Sequence, residues 1–290
     1  MASQGAPRRW RALVVVSVLV FAASYAFFVL TPLGQALENA ALRGADQVLA
    51  DDLARADEGL SRITVWSLGF AVGALGILGL LRRQPKLALA AGATVVAAVG
   101  ISQVLKRFVL VRPHLVEVTP NYLNNSFPSG HTTIALAVLL ALVLVGTWRQ
   151  RGLIMFLATS YALAVGAWTL TAKWHRLSDT LGASAIALGL ASLASLWLYR
   201  QGLVVRVERR RGWLVRLFVI ALVLGGLVTL GLGLALVMLT GVPAAPDEIA
   251  DYNIYLGLTS LASAGSILTA LAFWWSWSRL EVEGARQRGG

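Results

Sequence analysis

Eight apolar runs, at about 12–31, 63–81, 87–105, 131–148, 153–172, 180–199, 214–239 and 255–277, constrain this chain more than any other feature. Each is close to the roughly 20 residues that a helix needs to cross about 30 Å of hydrocarbon. Lipid offers no partner to a backbone amide, so a segment that enters it must satisfy its own N–H and C=O groups, and this predicts helices. The run 180–199, with its Gly and Ser residues, also fits a buried or re-entrant segment. With 57% hydrophobic and 13% charged residues over 290 positions, the expected fold class is an all-α polytopic membrane protein.

The basic residues set the expected topology. Arg8, Arg9, Arg11, Arg82, Arg83, Lys86, Arg149, Arg151, Arg200, Arg206, Arg209, Arg210, Arg211, Arg216, Arg279, Arg286 and Arg288 fall on one side, 17 of the 25 Lys and Arg. The positive-inside rule then places both termini in the cytoplasm of a cell-membrane protein and the loops after the first, third and fifth runs outside. The net charge of +11 is spread over short membrane-flanking loops, so the expected partners are membrane lipids and not nucleic acid. The chain has no cysteine, which excludes disulfides and thiolate metal sites. No small-x-small cleavage site precedes Thr31-Pro32, and the first run reads as an uncleaved anchor.

The outside loop 33–62 carries Leu42, Ala45, Val48, Leu49 and Leu53 at helical spacing among acids that include Glu38, Asp46 and Asp51. This predicts a solvated amphipathic helix on the membrane surface, with a lid over a site as the alternative. The basic linker 200–216 separates six helices that carry every motif from two that carry none, giving units 1–200 and 201–290. The loop 241–253, with Pro243, Pro246, Asp247, Glu248 and Asp251, matches no metal-loop spacing and reads as exposed acid. Trp274, Trp275 and Trp277 read as an interfacial belt.

The chemistry-bearing residues sit at the outer ends of the runs. Pro128-Ser129-Gly130-His131 opens the fourth helix, where unpaired N–H groups and the positive end of the helix dipole suit an anion. Gly130 lets an oxygen approach closely, and the Ser129 hydroxyl adds a donor. Taken alone, an ordinary helix start with an interfacial histidine reads the same way. His175 and Asp179, four apart at the start of the sixth helix, share a face. A carboxylate on one imidazole nitrogen fixes the tautomer and frees the other nitrogen to attack. Lys106 and Arg112 lie just outside the third helix and offer a point charge and a planar fork for phosphate oxygens. Three separate regions therefore place phosphate-suited groups on one predicted membrane face. No metal-ligand cluster and no cofactor motif is visible.

Together these motifs resemble the type 2 phosphatidic acid phosphatase (PAP2) family, whose hallmark is Lys…Arg-Pro, then Pro-Ser-Gly-His, then Ser-Arg…His-x-x-x-Asp. The resemblance covers roughly residues 60–200. It implies a six-helix core with two added C-terminal helices, and metal-independent hydrolysis of a lipid phosphate or diphosphate, such as a polyprenyl phosphate or a phosphatidic-acid-type lipid. It further implies that His175 attacks phosphorus, Asp179 orients it, and His131 protonates the leaving group. Lys106, Arg112, Ser129 and Gly130 then hold the phosphate oxygens. Two departures stand out: Lys106 and Arg112 are separated by five residues where the family has six, and Trp168-Thr169 stands where Ser-Arg is expected. Thr169 and Lys173 form an i,i+4 pair, so Lys173, with Arg176 beside His175, is the expected source of the missing charge. The alternative function is a lipid-phosphate binding or transport protein that kept the fold and lost turnover.

Overall fold

Each of the eight apolar runs lies for most of its length in a helix. The computed structural model describes residues 5–117, 122–208, 213–243 and 245–283; Arg209, Arg210, Arg211, Arg286 and Arg288, counted above toward topology, lie outside the described residues. The helices are α1 (Ala6–Ser24, extended by a π-helical turn Tyr25–Val29), α2 (Pro32–Gly44), α3 (Ala50–Ser61), α4 (Val65–Leu81) and α5 (Pro85–Val104, extended by a π-helical turn Leu105–Val109). They continue as α6 (Gly130–Val145), α7 (Arg151–Thr171), α8 (Leu177–Arg200), α9 (Trp213–Thr240) and α10 (Glu248–Ser276).

Six of these are long and apolar enough to cross a membrane: α1, α5, α7, α8, α9 and α10. The helices α4 and α6, with 17 and 16 residues, fall short. At about 1.5 Å rise per residue they reach roughly 24–26 Å. Each has a local reason. The first turn of α6 is drawn into the site described below, and α4 starts after a 58° bend from α3.

The run 180–199 is neither re-entrant nor peripheral. It lies within α8, a 24-residue helix that packs against α1, α5, α6 and α10. Its small buried residues, among them Gly182, Ala183, Ala187 and Ala191, let those helices approach closely, which is how helices gain contact in a solvent as apolar as their own side chains.

The loop 33–62 differs from a single solvated helix. It forms α2 and α3 with a short 3-10 turn, Ala45–Gln47, between them. Only α3 is mostly solvated; it buries Ala56 and Leu60 and lays Gly59 against the Trp168 ring. By contrast α2 buries Gln35, Glu38 and Asn39 as well as Leu37, Ala40 and Ala41, because it is wedged between α10 and the segment after α5. Thr31 caps it, accepting from the Gly34 amide at 3.0 Å, and Pro32 occupies the first turn.

The C-terminal helices are pinned at both ends. At one end Asp251 is buried and takes both Arg43 Nε and Nη2 at 2.7 Å, so it is not an exposed acid. Asp247 caps α10 through the Ala250 amide at 2.7 Å. At the other end Trp277 is fully buried, 5.1 Å from the Trp10 ring, and donates to Ser195 Oγ at 2.9 Å, while Trp275 remains on the surface. Beyond α10 a strand β2 (Leu280–Val282) pairs antiparallel with β1 (Val204–Arg206), with Val204 opposite Val282. Buried Arg151 donates to Val143 O and Leu280 O, and Arg82 donates to Val145 O and Val282 O. The start of α1 and the segment after α10 thus meet at one end of the bundle, and the motif residues gather at the other.

Candidate active site

Helix α8 begins at the site, and one carboxylate does two jobs there. Asp179 sits in the first turn, where the helix dipole favours negative charge. Its Oδ2 accepts from the Arg176 amide at 2.9 Å, satisfying an otherwise orphan N–H, and lies 3.1 Å from His175 Nδ1. The imidazole is therefore held through Nδ1 by a carboxylate, the contact that selects its tautomer. His175 is 7% exposed. Burial disfavours its charged form and lowers its pKa below the usual value, with Lys106 acting the same way; the bond and charge of Asp179 oppose this only in part.

The segment before α6 is fastened to the same turn. The Ser129 amide donates to the Asp179 carbonyl at 2.9 Å, which ties the Pro128-Ser129-Gly130-His131 motif to α8 directly. Ser129 is fully buried and caps α6: its Oγ accepts from the Thr132 amide at 3.2 Å and meets Thr132 Oγ1 at 3.0 Å. Helical geometry leaves the amides of Gly130 and His131 without an intrahelical partner. A Cβ at Gly130 would press on Gln103 Nε2 at 3.1 Å, and one at Gly182 would meet the Phe127 ring at 2.7 Å. Asn125 completes the fastening, donating to Leu110 O at 2.9 Å and to Lys106 O at 3.3 Å, which joins the end of α5 to the motif.

His131 lies across from His175 with ring centroids 6.1 Å apart, and its ring centroid is 5.3 Å from that of Trp174 in an edge-to-face arrangement. Its Nδ1 is buried with no hydrogen-bond partner. Lys106 sits in the π-helical turn at the end of α5, near enough to act electrostatically on both histidines and on Asp179. Such turns inside α-helices are frequent at functional sites.

Two guanidinium groups complete the cluster. Arg112 is buried and donates through Nη2 to Glu38 Oε2 at 3.1 Å and Ser178 Oγ at 3.3 Å. Arg176 is buried too, donating to Ser126 Oγ at 3.1 Å and to Tyr122 O at 2.7 Å. The Nε atoms of both are buried without a partner. A buried donor left unsatisfied in this way costs free energy unless a water or an ion reaches it.

Seven of the eight expected site residues therefore converge: His131, His175, Asp179, Lys106, Arg112, Ser129 and Gly130. Lys173 does not join them. The helix α7 ends at Thr171 and Lys173 has φ of 58°, so its i,i+4 relation to Thr169 does not exist; its ammonium is hydrogen-bonded to Asp46 and lies over the Tyr122 ring. Thr169 is fully buried and donates to its own helix at Gly166 O. Sequence reasoning missed Glu38, whose only signal was an acid in an amphipathic pattern, and Ser178, which lies inside the His-to-Asp spacing. Among the described residues no group of three or more His, Cys, Asp and Glu side chains gathers as a metal site.

Residues 87–203 match the family model of the PAP2 superfamily. This stretch is similar to the PAP2 superfamily. It spans α5 to α8 and contains every motif residue of the cluster, whereas Glu38 and the α9–α10 hairpin lie outside it. No curated protein and no solved structure matches the chain. Phosphatase-type chemistry on lipid phosphates in a membrane protein is the activity that this similarity suggests.

Proposed function

We propose that this protein hydrolyses a lipid phosphate or diphosphate through a phosphohistidine, at the outer face of the cell membrane. One observation carries the reading: two imidazoles with centroids 6.1 Å apart, only one of them backed by a carboxylate, beside Lys106, Arg112 and Arg176. The Nε2 lone pair of His175 forms the N–P bond, the P–O bond to the lipid breaks, and His131 gives its proton to the departing oxygen. His131 then takes a proton from water, the water oxygen bonds phosphorus, and the N–P bond breaks to release phosphate. The cations stabilise the charge on the phosphoryl oxygens, the main electrostatic task in phosphoryl transfer. Arg176, and not Lys173, supplies the charge lost with Thr169. Polyprenyl phosphates or diphosphates and phosphatidic-acid-type lipids are the candidate substrates.

The test is phosphate release by the purified chain in detergent, from a panel of these lipids, with chelator present. Turnover requires His175 neutral and His131 protonated, so kcat/KM is expected to be bell-shaped in pH. Because burial favours neutral His175, its attack survives to lower pH, and the acid limb lies below the ordinary histidine value of about 6.5. Chelator is expected to leave the curve unmoved. A rate that climbs through about pH 9 and collapses with chelator points instead to a metal-bound hydroxide and removes the histidine mechanism. Binding of lipid phosphate with no release on any member of the panel establishes the non-catalytic alternative.

Sidedness has its own test, since the chain lacks cysteine. Asn124 and Arg149 are both exposed and lie at opposite ends of the bundle. Cysteine at Asn124 is expected to react with a membrane-impermeant thiol reagent on intact cells, and cysteine at Arg149 only after lysis. The reverse pattern puts the chemistry in the cytoplasm.

A further inference from the structure

Glu38 is 1% exposed and lies on α2, outside the stretch that matches the family. Each of its carboxylate oxygens takes a different donor. Oε2 accepts from Arg112 Nη2 at 3.1 Å, and Oε1 accepts from the Ser178 amide at 2.8 Å. Ser178 immediately precedes Asp179, and its hydroxyl accepts from the same Arg112 Nη2 at 3.3 Å. Glu38, Arg112 and the first turn of α8 thus form a closed triangle. Both bonds of Arg112 run through Nη2, and the buried Nε stays unpartnered.

The frame behind Glu38 is stiff. Gln35, one turn before Glu38, donates to Pro113 O at 2.6 Å, and Asn39, the residue after it, donates to Glu117 O at 3.1 Å, so α2 is in register with the segment that carries Arg112. Arg43 and Asp251 join α2 to α10 by two bonds of 2.7 Å, and Gly44 approaches the Asp251 backbone too closely for any side chain.

We propose that Glu38 is a positioning residue for the phosphate site, fixing the Arg112 guanidinium and the Asp179-bearing turn of α8 in a single frame. This rests on the reading of the cluster as a phosphate site. Arg112 and Arg176 repel each other, and burial raises the cost of their charges; Glu38 is the carboxylate that holds Arg112 in place against that repulsion. Its own carboxyl is pushed above the usual range by burial, with Arg112 opposing, which marks how far its anionic form depends on this partner. A glutamine fits the space but brings one acceptor to two donors, and its amide group faces the other donor with no acceptor to offer.

The experiment uses the full chain in detergent and compares wild type, Glu38→Gln, Arg112→Ala and the double variant. Inorganic phosphate is the binding probe, kcat and KM are measured on a lipid phosphate that the wild type turns over, and unliganded thermal unfolding is the control for folding. Glu38→Gln is expected to raise the phosphate Kd and to lower kcat by about tenfold each, the size of effect that follows a buried donor left unpaired. The double variant is expected to bind phosphate no worse than Arg112→Ala alone, because Glu38 acts on the anion through Arg112. Unchanged kcat with equal or tighter phosphate binding in Glu38→Gln means that the carboxylate is only a counter-ion, and overturns the proposal. So does a double variant whose loss is the product of the two single losses. If Glu38→Gln does not fold, Glu38→Asp, which keeps the charge but falls one methylene short of its two donors, is read in the same way. A wild type that binds phosphate and releases none from any lipid overturns the hydrolase reading alone, and Glu38 is then judged on Kd. A wild type with no affinity for phosphate overturns both.

Discussion

Replacing His175 with alanine is expected to lower phosphate release by about 10⁴-fold or more, the scale seen when a nucleophile is removed from a machine whose parts act together. In the proposed mechanism His175 carries its proton on Nδ1, which lies 3.1 Å from Asp179, and attacks through the Nε2 lone pair. The chain has no cysteine to replace it, and Ser129 is spent on capping α6. The fold should survive, because the backbone amide of His175 remains bonded to Thr169 O at 3.0 Å and the Asp179 carboxylate keeps the Arg176 amide. The expected signature is lost turnover with retained phosphate binding and a similar unfolding temperature. Alanine at His131 should differ in kind. The first N–P bond can still form with a good leaving group, but the return proton transfer from water has no base, so steady-state turnover falls more than a single burst. Substantial steady-state activity in His175→Ala ends the nucleophile assignment.

Asp179→Asn is expected to lower kcat by about 10³–10⁴-fold with KM unchanged or lower. Asparagine keeps the shape and can still cap α8 through the Arg176 amide. It does not keep the charge. If its oxygen faces His175 Nδ1, the positive charge that builds on the phosphorylated ring goes uncompensated. If its amide group faces Nδ1, the proton moves to Nε2 and the attacking lone pair is gone. Loss of one negative charge among Lys106, Arg112 and Arg176 meanwhile favours anion binding, which is why KM moves opposite to the usual loss. A kcat within tenfold of wild type removes Asp179 from the orienting role.

What could be read in the sequence was what is local or periodic. The all-α class follows from hydropathy because lipid leaves a backbone few options, although ten helices stand among the described residues where the sequence shows eight runs. The pair His175 and Asp179 is local too, but His175 lies two residues before α8 begins and meets Asp179 across the helix cap. The Pro128-Ser129-Gly130-His131 motif is equally local, since capping needs only four consecutive residues. Where the reading failed, the deciding contact joined distant positions. Glu38 meets Arg112 across 74 residues and Asp251 meets Arg43 across 208, so both acids looked solvated in a pattern that measures only their own helices. Trp277 looked interfacial for the same reason, because its burial depends on Trp10. Lys173 was lost to a local event of another kind: a helix that stops two residues earlier than its i,i+4 pairing requires.

The clasp between Trp10 and Ser276, at 3.1 Å across 266 residues, bears on how the protein is made. Ribosomal synthesis delivers α1 to the bilayer long before α10 exists, so the first helix has to wait in lipid without its final neighbours. Its sequence suits that interval. The hydroxyl of Ser17, buried once α8 arrives, is already donated to Leu13 O within the same helix, at 2.7 Å, and the Trp10 indole N–H lies at the end where water can serve it in the meantime. The first span can therefore enter lipid ahead of its neighbours without stranding Ser17 or Trp10, and the bundle shuts only when the last span swings in. Assembly of this kind is governed by the arrival of the C-terminal hairpin, so slowing translation before residue 248 should prolong a protease-sensitive intermediate, whereas slowing it earlier should not.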